Sequence, residues 1–208
     1  PRAYYCPNTS LVVVENTHNR GGGRIFPQDD VVAIARAARE HDLALHLDGA
    51  RLWNAAAGSD AEPAALAAPF DTVAVCFSKG LGAPVGSAIC GSQAHITAAL
   101  RLRKMLGGGM RQAGILAAAA LYALEHNRAR LRDDHAAAQR LGAALSEAGG
   151  AVAPIDTNIV NVTLPVAAEV FVAAAKERGV LLSAIGPHAA RVKDRDEALI
   201  MKALMHER

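Results

Sequence analysis

Short apolar runs alternate with helix-like segments in the first half of the chain, and this alternation restricts the possible folds most. The runs, which are typical of strands, lie at residues 11–15, 43–48, 71–77 and 85–90. Between the first two, residues 28–41 place Val31, Ile34, Ala35 and Ala38 on one helical face. Nearly continuous apolar strands separated by helices are typical of a parallel sheet covered on both faces. The pattern predicts an α/β fold with a mostly parallel sheet.

The second half of the chain has a different pattern. Helices are predicted first, over residues 92–106, 111–126 and 128–148. Short strands at 159–164 and 180–185 then alternate with helices at 167–178 and 194–206. We therefore expect residues 1–127 to belong to a large domain and residues 128–208 to form a small C-terminal α/β domain.

Composition and charge argue against several classes of protein. The chain has 22 basic and 20 acidic side chains and no dense basic run, which disfavours nucleic acid and membrane surfaces as partners. The longest apolar run, residues 113–124, is shorter than the roughly 20 residues of a membrane-spanning helix. The three cysteines, Cys6, Cys76 and Cys90, form no CxxC pair. They predict a reducing, cytoplasmic setting with neither a disulfide framework nor a metal site.

Two charged side chains follow two successive predicted strands. Asp48 ends one strand in the sequence His-Leu-Asp-Gly-Ala-Arg, and Lys79 follows the next in Cys-Phe-Ser-Lys-Gly-Leu-Gly. Because carboxyl ends of parallel strands share one edge of a sheet, we expect both side chains in one crevice. Taken singly, Asp48 is equally consistent with a helix cap, and Lys79 is better explained as a solvated surface charge. Together they match pyridoxal phosphate (PLP), which needs a Schiff-base lysine and an acidic partner for its pyridine nitrogen.

A run of three glycines, Gly107 to Gly109, separates two predicted helices, and Arg111 follows at a predicted helix start. Backbone N–H groups and a guanidinium can form an anion site in such a place. A plain turn between helices is the alternative. No strand precedes the glycines, so they are not a dinucleotide-binding fingerprint.

Four blocks of sequence together carry a resemblance to a known family. They are ENTHN at residues 15–19, HLDGAR at 46–51, FSKGLGAPVGS at 77–87 and RKMLGGGMRQAG at 103–114. In order and spacing they resemble low-specificity L-threonine aldolases, which are PLP enzymes of the aspartate-aminotransferase-like fold (fold type I), near the β-eliminating lyases. The resemblance implies part of the PLP-binding large domain of that fold, followed by a small C-terminal domain.

The same resemblance implies a cofactor site. Lys79 would be the catalytic lysine that binds PLP covalently, and Asp48 would pair with the pyridine nitrogen. Arg51 would lie near the cofactor and the substrate carboxylate. Arg111, and with it Lys104, would reach toward the phosphate or toward the site of a neighbouring subunit.

Two further residues are candidates for substrate binding. His18 follows the first strand beside Asn16 and Asn19, where it can line the site. Arg191 is similar in position to the family's C-terminal substrate-binding arginine. It is followed by Val-Lys-Asp, where the family has Thr-His-x-Asp. An ordinary strand-end cation is the alternative interpretation of Arg191.

By resemblance, the activity is cleavage of L-threonine, allo-threonine and related β-hydroxy-α-amino acids to glycine and an aldehyde, in a homo-oligomer that is a dimer or a tetramer. Family members also have an N-terminal portion with a glycine-rich phosphate loop and a histidine stacked on the cofactor. Neither precedes the first block here, so we expect a chain that lacks this portion. A non-catalytic remnant of the fold is one alternative, and a β-eliminating lyase or aminotransferase is another.

Overall fold

The computed structural model describes residues 7–193, which contain seven helices and eight strands. The strands form two sheets. The helices are α1 (Gln28–Glu40), α2 (Leu52–Ser59), α3 (Pro63–Ala67), α4 (Gln93–Met105), α5 (Gly114–His126), α6 (Leu131–Glu147) and α7 (Ala168–Glu177). The strands are β1 (Leu11–Glu15), β2 (Ala44–Gly49), β3 (Thr72–Cys76), β4 (Ser87–Gly91), β5 (Ala151–Val152), β6 (Ile159–Thr163), β7 (Ser183–Gly186) and β8 (Ala189–Lys193). The helix predicted at 194–206 lies outside the described residues. Across residues 7–193, none of the helices has the length and hydropathy that crossing a bilayer requires.

The first sheet has the strand order β1-β2-β3-β4 and confirms the predicted α/β fold with a mostly parallel sheet. β1, β2 and β3 are parallel, with Glu15 opposite Asp48 and Gly49 opposite Val75. β4 is antiparallel to β3. The short loop between these two strands explains this direction, because a parallel connection needs a crossover of about a dozen residues or more. The carboxyl ends of β1, β2 and β3 therefore meet at one edge.

The core of this half lies between the sheet and helices α1 to α3. As its amphipathic pattern predicts, α1 buries Val31, Ala35 and Ala38, and the two alanines pack with Leu45 of β2. A second cluster joins α2 and α3 to β2 and β3 through Leu47, Leu52, Ala55, Leu66 and Val73. The sequence pattern does not predict α2 and α3, because these alanine-rich helices of 8 and 5 residues are too short to show a periodic face.

The outer strands of the first sheet are less covered than expected. Val13 of β1 is 56% exposed and Ile89 of β4 is 46% exposed. Cys90 is exposed, although its apolar neighbours predict a packed position. Measured over the described residues, α4 buries none of its side chains. The apolar strands predict a sheet that is covered on both faces. The described contacts do not cover both faces of β1 and β4.

The second sheet is antiparallel, with the strand order β5-β6-β8-β7. Its core joins the sheet to α6 and α7 and includes Ala138, Leu141, Val160, Val162, Phe171 and Val192. This is the small α/β unit predicted for the C-terminal part, although β7 begins at Ser183 and not at residue 180. The pattern misses β5, which has two residues, and β8, whose sequence Ala-Ala-Arg-Val-Lys lacks an apolar run. The domain boundary at residues 127/128 stays a prediction, and it falls between α5 and α6.

Candidate active site

The structure places Asp48 and Lys79 at the ends of neighbouring parallel strands. Asp48 lies near the end of β2, and Lys79 follows the end of β3. Because β2 and β3 are paired in parallel, the two residues are at the same edge of the sheet. Both are half-buried. This is the sheet edge that the strand order predicts, while a single crevice for the two side chains stays a prediction.

Short-range hydrogen bonds fix the backbone around Asp48. Its Oδ1 accepts from the backbone N–H of Ala50 at 3.1 Å, and its main-chain oxygen accepts from the N–H of Asn16 at 3.1 Å. Within residues 7–193, its other carboxylate oxygen, Oδ2, has no hydrogen-bond partner. The β2 strand end thus presents a partly buried carboxylate with one oxygen available to a ligand.

Lys79 lies in a tight turn whose following residues are buried. The N–H of Gly82 donates to the main-chain oxygen of Lys79 at 2.7 Å, and Leu81 is 1% exposed. No hydrogen bond or ion pair engages the Lys79 amine within the described part of the chain. The amine is therefore available for reaction, while packing holds the backbone that carries it.

Arg51 is a buried cation next to this edge. It precedes α2 as its N-cap residue and is 6% exposed. Its Nε is buried and has no hydrogen-bond partner among residues 7–193. A buried charge is costly unless an opposite charge and hydrogen bonds compensate it. The unsatisfied guanidinium nitrogen therefore indicates a place for an anionic or polar ligand.

The structure brings Arg191 of β8 close to Arg51. Burial lowers the pKa of Arg191, and the charge of Arg51 lowers it further. Arg191 Nε donates to Asn161 Oδ1 at 2.8 Å, and its NH1 group donates to Asn19 Oδ1 at 3.3 Å. No ion pair involves either arginine within the described residues. Arg191 thus lies within β8, opposite Asn161, and is not a cation at the strand end.

His18 lies on the loop that follows β1. Its Nδ1 accepts from the N–H of Gly21 at 3.1 Å, and its Nε2 is 3.6 Å from Glu15 Oε2. His18, Glu15 and Asp48 line an open cavity of about 690 Å³, whose lining does not include Lys79 or Arg51. The structure therefore associates His18 with Asp48 directly, and with Arg191 through the neighbouring Asn19.

Lys104 and Arg111 do not join this group. Both are exposed, Lys104 in the last turn of α4 and Arg111 between α4 and α5. Among the described residues, neither is hydrogen-bonded or ion-paired to the other candidates. The prediction that Arg111 starts a helix is wrong, since α5 begins at Gly114, after Gln112 with a left-handed φ of 50°. The glycines and this turn leave Arg111 outside the helix.

Sequence reasoning missed several asparagines that hold the candidate site. Asn19 and Asn161 bind the Arg191 side chain, and Asn54 and Asn158 are hydrogen-bonded to each other in the interior. One signal was present for Asn161, which is a polar residue within the apolar strand Ile-Val-Asn-Val-Thr. For Asn54 and Asn158, 104 positions apart, no local pattern indicates a contact.

The chain is similar to curated aldolases in sequence and to a solved aldolase in fold. It is 45% identical over 162 residues to a low-specificity L-threonine aldolase of Escherichia coli O157:H7, covering 78% of this chain and 48% of that protein. It is 45% identical over 159 residues to low-specificity L-threonine aldolase 1 of Arabidopsis thaliana, covering 75% and 44%. The threonine aldolase structure from Leishmania major matches with a TM-score of 0.81 over 99% of this chain and 62% of that one. At 20% identity, this last match shows the fold alone.

The chain spans about half the length of the curated relatives it matches. The family model for beta-eliminating lyases matches residues 1–167, a stretch that includes Asp48, Arg51 and Lys79. Enzymes of this family depend on PLP, and the resemblance to L-threonine aldolases is confirmed. By the extent of that match, the chain belongs to the beta-eliminating lyase family.

Proposed function

We propose that this chain builds the site of a PLP-dependent aldehyde-lyase, which cleaves L-threonine and allo-threonine to glycine and acetaldehyde. The observation that carries the proposal is the buried Arg51 beside Arg191, near the sheet edge that holds Asp48 and Lys79. Two neighbouring cations without a carboxylate among the described residues favour an anionic ligand. An amino-acid carboxylate satisfies this requirement, and curated relatives at 45% identity carry the name L-threonine aldolase.

The residues present fit PLP. The cofactor's aldehyde requires a lysine amine, and the Lys79 amine is not engaged within the described residues. Its pyridine nitrogen requires an acidic partner, and Asp48 Oδ2 is free within the same range. Lys79 and Asp48 would therefore hold the cofactor. When bound, PLP supplies an electron sink for the pair released at Cα.

Arg51 and Arg191 would bind the substrate carboxylate. Guanidinium groups hold carboxylates by charge-assisted hydrogen bonds, which are stronger than neutral ones. Asn161 and Asn19 orient Arg191 from two sides, at 2.8 Å and 3.3 Å. A carboxylate fixed in this way limits the orientations of the Cα–Cβ bond, and such positioning contributes to the rate.

Cleavage of threonine requires the movement of two protons. The β-hydroxyl loses a proton as the Cα–Cβ bond breaks and acetaldehyde leaves, and Cα gains a proton to give glycine. His18 is our candidate for the group that contacts the hydroxyl, since it shares a cavity with Asp48. Its Nε2 lies 3.6 Å from Glu15 Oε2, so a carboxylate adjoins the ring.

β-Elimination on the same fold is the second candidate, because the family model that matches is that of beta-eliminating lyases. The products distinguish the two reactions. An aldolase forms an aldehyde and glycine, whereas β-elimination forms a 2-oxo acid and ammonia. A non-catalytic remnant of the fold would form neither.

We also propose that the protein is a homo-oligomer, a dimer or a tetramer, in the cytoplasm. Exposed apolar side chains on and near α4 and α5 support association, since Leu106 and Ile115 are 84% and 85% exposed. Lys104 and Arg111 lie in the same region, where a second copy would bring them to another site. The free thiols of Cys76 and Cys90 are consistent with a reducing compartment.

Titration with PLP tests the proposal. The purified chain is expected to gain the absorbance of a lysine-bound cofactor and to release acetaldehyde from L-threonine. Lys79→Ala loses both, whereas Lys176→Ala, which removes an exposed lysine of α7, keeps both. A wild-type chain that gains no absorbance would contradict the cofactor role of Lys79. Absorbance without products would favour the remnant, and a 2-oxo acid without aldehyde would favour β-elimination.

A further inference from the structure

The loop that carries Lys79 has its own internal hydrogen bonds. We define the lysine loop as residues 77–86, between β3 and β4. The N–H of Phe77 donates to the oxygen of Gly86 at 3.0 Å, and the N–H of Ala83 donates to the oxygen of Phe77 at 3.0 Å. The Gly82 N–H, which donates to the oxygen of Lys79, is the third such bond. Hydrogen exchange at these three backbone amides therefore measures how well the loop conformation is held.

Asn54 of α2 packs against the lysine loop at Gly80, the residue after Lys79. A Cβ placed at Gly80 would lie 3.1 Å from Asn54 Oδ1 and 2.8 Å from Leu131 Cδ2. Real Cβ atoms essentially never approach other atoms as closely as the second distance. Glycine at position 80 therefore allows the loop backbone to pack closely against Asn54. This contact adjoins Lys79, which carries the amine.

Two hydrogen bonds fix the orientation of the Asn54 amide. Asn54 is 2% exposed, and its Nδ2 donates to Asn158 Oδ1 at 3.1 Å and to His135 Nε2 at 3.2 Å. An NH₂ group has two hydrogens, so both are used. The Oδ1 atom consequently points toward Gly80. Burial, with the charge of Arg132, lowers the pKa of His135 to about 4, so its ring is neutral and able to accept at neutral pH.

The partner of Asn54 belongs to a segment that also holds the His18 loop. Next to Asn158, the Thr157 hydroxyl donates to the oxygen of Gly23 at 2.8 Å. Asp156 Oδ2 accepts from the N–H of Ile25 at 3.0 Å and from Arg24 Nε at 2.8 Å. Residues 156–158 thus contact both the loop after β1 and, through Asn54, the loop after β3.

We propose that Asn54 is a positioning residue that fixes the lysine loop, and that Asn158 and His135 hold it in place for this purpose. The proposal rests on the proposed function of Lys79. Asn54 acts through the backbone of Gly80, so its role is to limit where the Lys79 amine can lie. Because Asn158 belongs to the second half of the chain, the same contact ties the amine's position to the part that supplies Arg191.

Amide hydrogen exchange in the cofactor-free chain tests this directly. Asn54→Ala and Asn54→Ser are expected to raise exchange in peptides covering residues 77–86 by roughly tenfold, with exchange in α1 unchanged. Gln28→Ala is the control, since the Gln28 amide donates to the oxygen of Ala65, between α1 and α3, and its loss should leave the lysine loop unchanged. Unchanged exchange in the lysine loop of folded Asn54 variants would overturn the proposal.

Two further measurements separate this proposal from a simple loss of folding and from the proposed function. If both Asn54 variants unfold, Gly80→Ala tests the proposal instead. Its added Cβ lies on the lysine loop and collides with Asn54 and Leu131, so it disturbs the same contact without changing Asn54. It should raise exchange in the same peptides, and no change there would overturn the proposal. With PLP and threonine, Asn54→Ser should lower kcat about tenfold and leave KM within about twofold. A wild-type chain that binds no PLP would defeat the proposed function, while the exchange result would still decide the role of Asn54.

Discussion

The lysine loop and the connection between α4 and α5 contain similar residues in different surroundings. We call residues 106–113 the glycine connection. Each segment combines glycines with a cation expected to contact PLP. In the lysine loop, Leu81 is 1% exposed, and its main-chain oxygen accepts from Asn127 Nδ2 at 2.7 Å. In the glycine connection, Leu106 is 84% exposed, and a Cβ at Gly107 would meet no heavy atom within 4 Å.

The difference shows two separate uses of glycine. At position 80, a side chain is excluded because Asn54 and Leu131 occupy the space. At position 107, space is open, but the backbone has a φ of 79°, which residues with a Cβ adopt at a cost. Glycine thus allows close packing in the first segment and a change of direction in the second. Only the packing in the first fixes a neighbouring cation, so the described contacts determine where Lys79 lies but not Arg111.

A pair of leucine truncations should give the largest difference between the segments. Leu81→Ala is expected to lower the free energy of unfolding by about 2–5 kcal/mol, because a fully buried side chain leaves a cavity. At a protein concentration low enough to keep the chain monomeric, Leu106→Ala should change it by less than about 0.5 kcal/mol, as is usual for an exposed position. Urea denaturation followed by circular dichroism measures both. Equal losses in the monomer would show that the glycine connection is packed as tightly as the lysine loop within one chain, and the comparison would then fail.

The sequence was sufficient to predict the elements of the first sheet and the common edge of Asp48 and Lys79. Strand period and strand order determine both, since the carboxyl ends of adjacent parallel strands are close together whatever the loops do. The amphipathic face of α1 was predictable for the same reason, because a helix of 13 residues repeats its pattern several times.

Contacts between the two halves could not be predicted in this way. Arg51 and Arg191 are neighbours because β8 packs beside the first half, and a local pattern has no information on that arrangement. His135 is a similar case. Its sequence surroundings predict a surface position on α6, yet it is half-buried against Asn54. Residues that join the halves are therefore the part of the site that only the structure reveals.

A pair of arginine substitutions extends the comparison to activity, with Arg51 at the sheet edge and Arg111 in the glycine connection. If Arg51 binds the substrate carboxylate, Arg51→Gln is expected to raise KM for L-threonine on the order of 100-fold, the loss of a strong charge-assisted interaction. Arg111→Gln should leave KM within about twofold and weaken PLP binding instead, if it reaches the phosphate in an assembled oligomer. Steady-state kinetics and PLP titration separate these effects. A similar rise of KM in both variants would contradict the distinct roles.

The smallest expected effect is a pH dependence of stability at His135, behind the lysine loop. Burial and then the charge of Arg132 lower the pKa of His135 from 6.5 to about 4 in the folded chain. Between these values, the unfolded chain takes up a proton at this position and the folded chain does not. Unfolding therefore becomes easier as pH falls through this window.

Removing the titrating ring should remove that part of the pH dependence. His135→Gln keeps an oxygen that can accept from Asn54 Nδ2 and has no proton to gain, so its stability should fall less than that of the wild type between pH 6.5 and 4. Chemical denaturation at a series of pH values measures the difference, with His41→Gln, at an exposed histidine after α1, as the control. Parallel curves for wild type and His135→Gln would show that His135 titrates alike in the folded and unfolded chain. In that case the ring would gain a proton in the folded chain at mildly acidic pH, and the Asn54 amide would lose its acceptor there without unfolding.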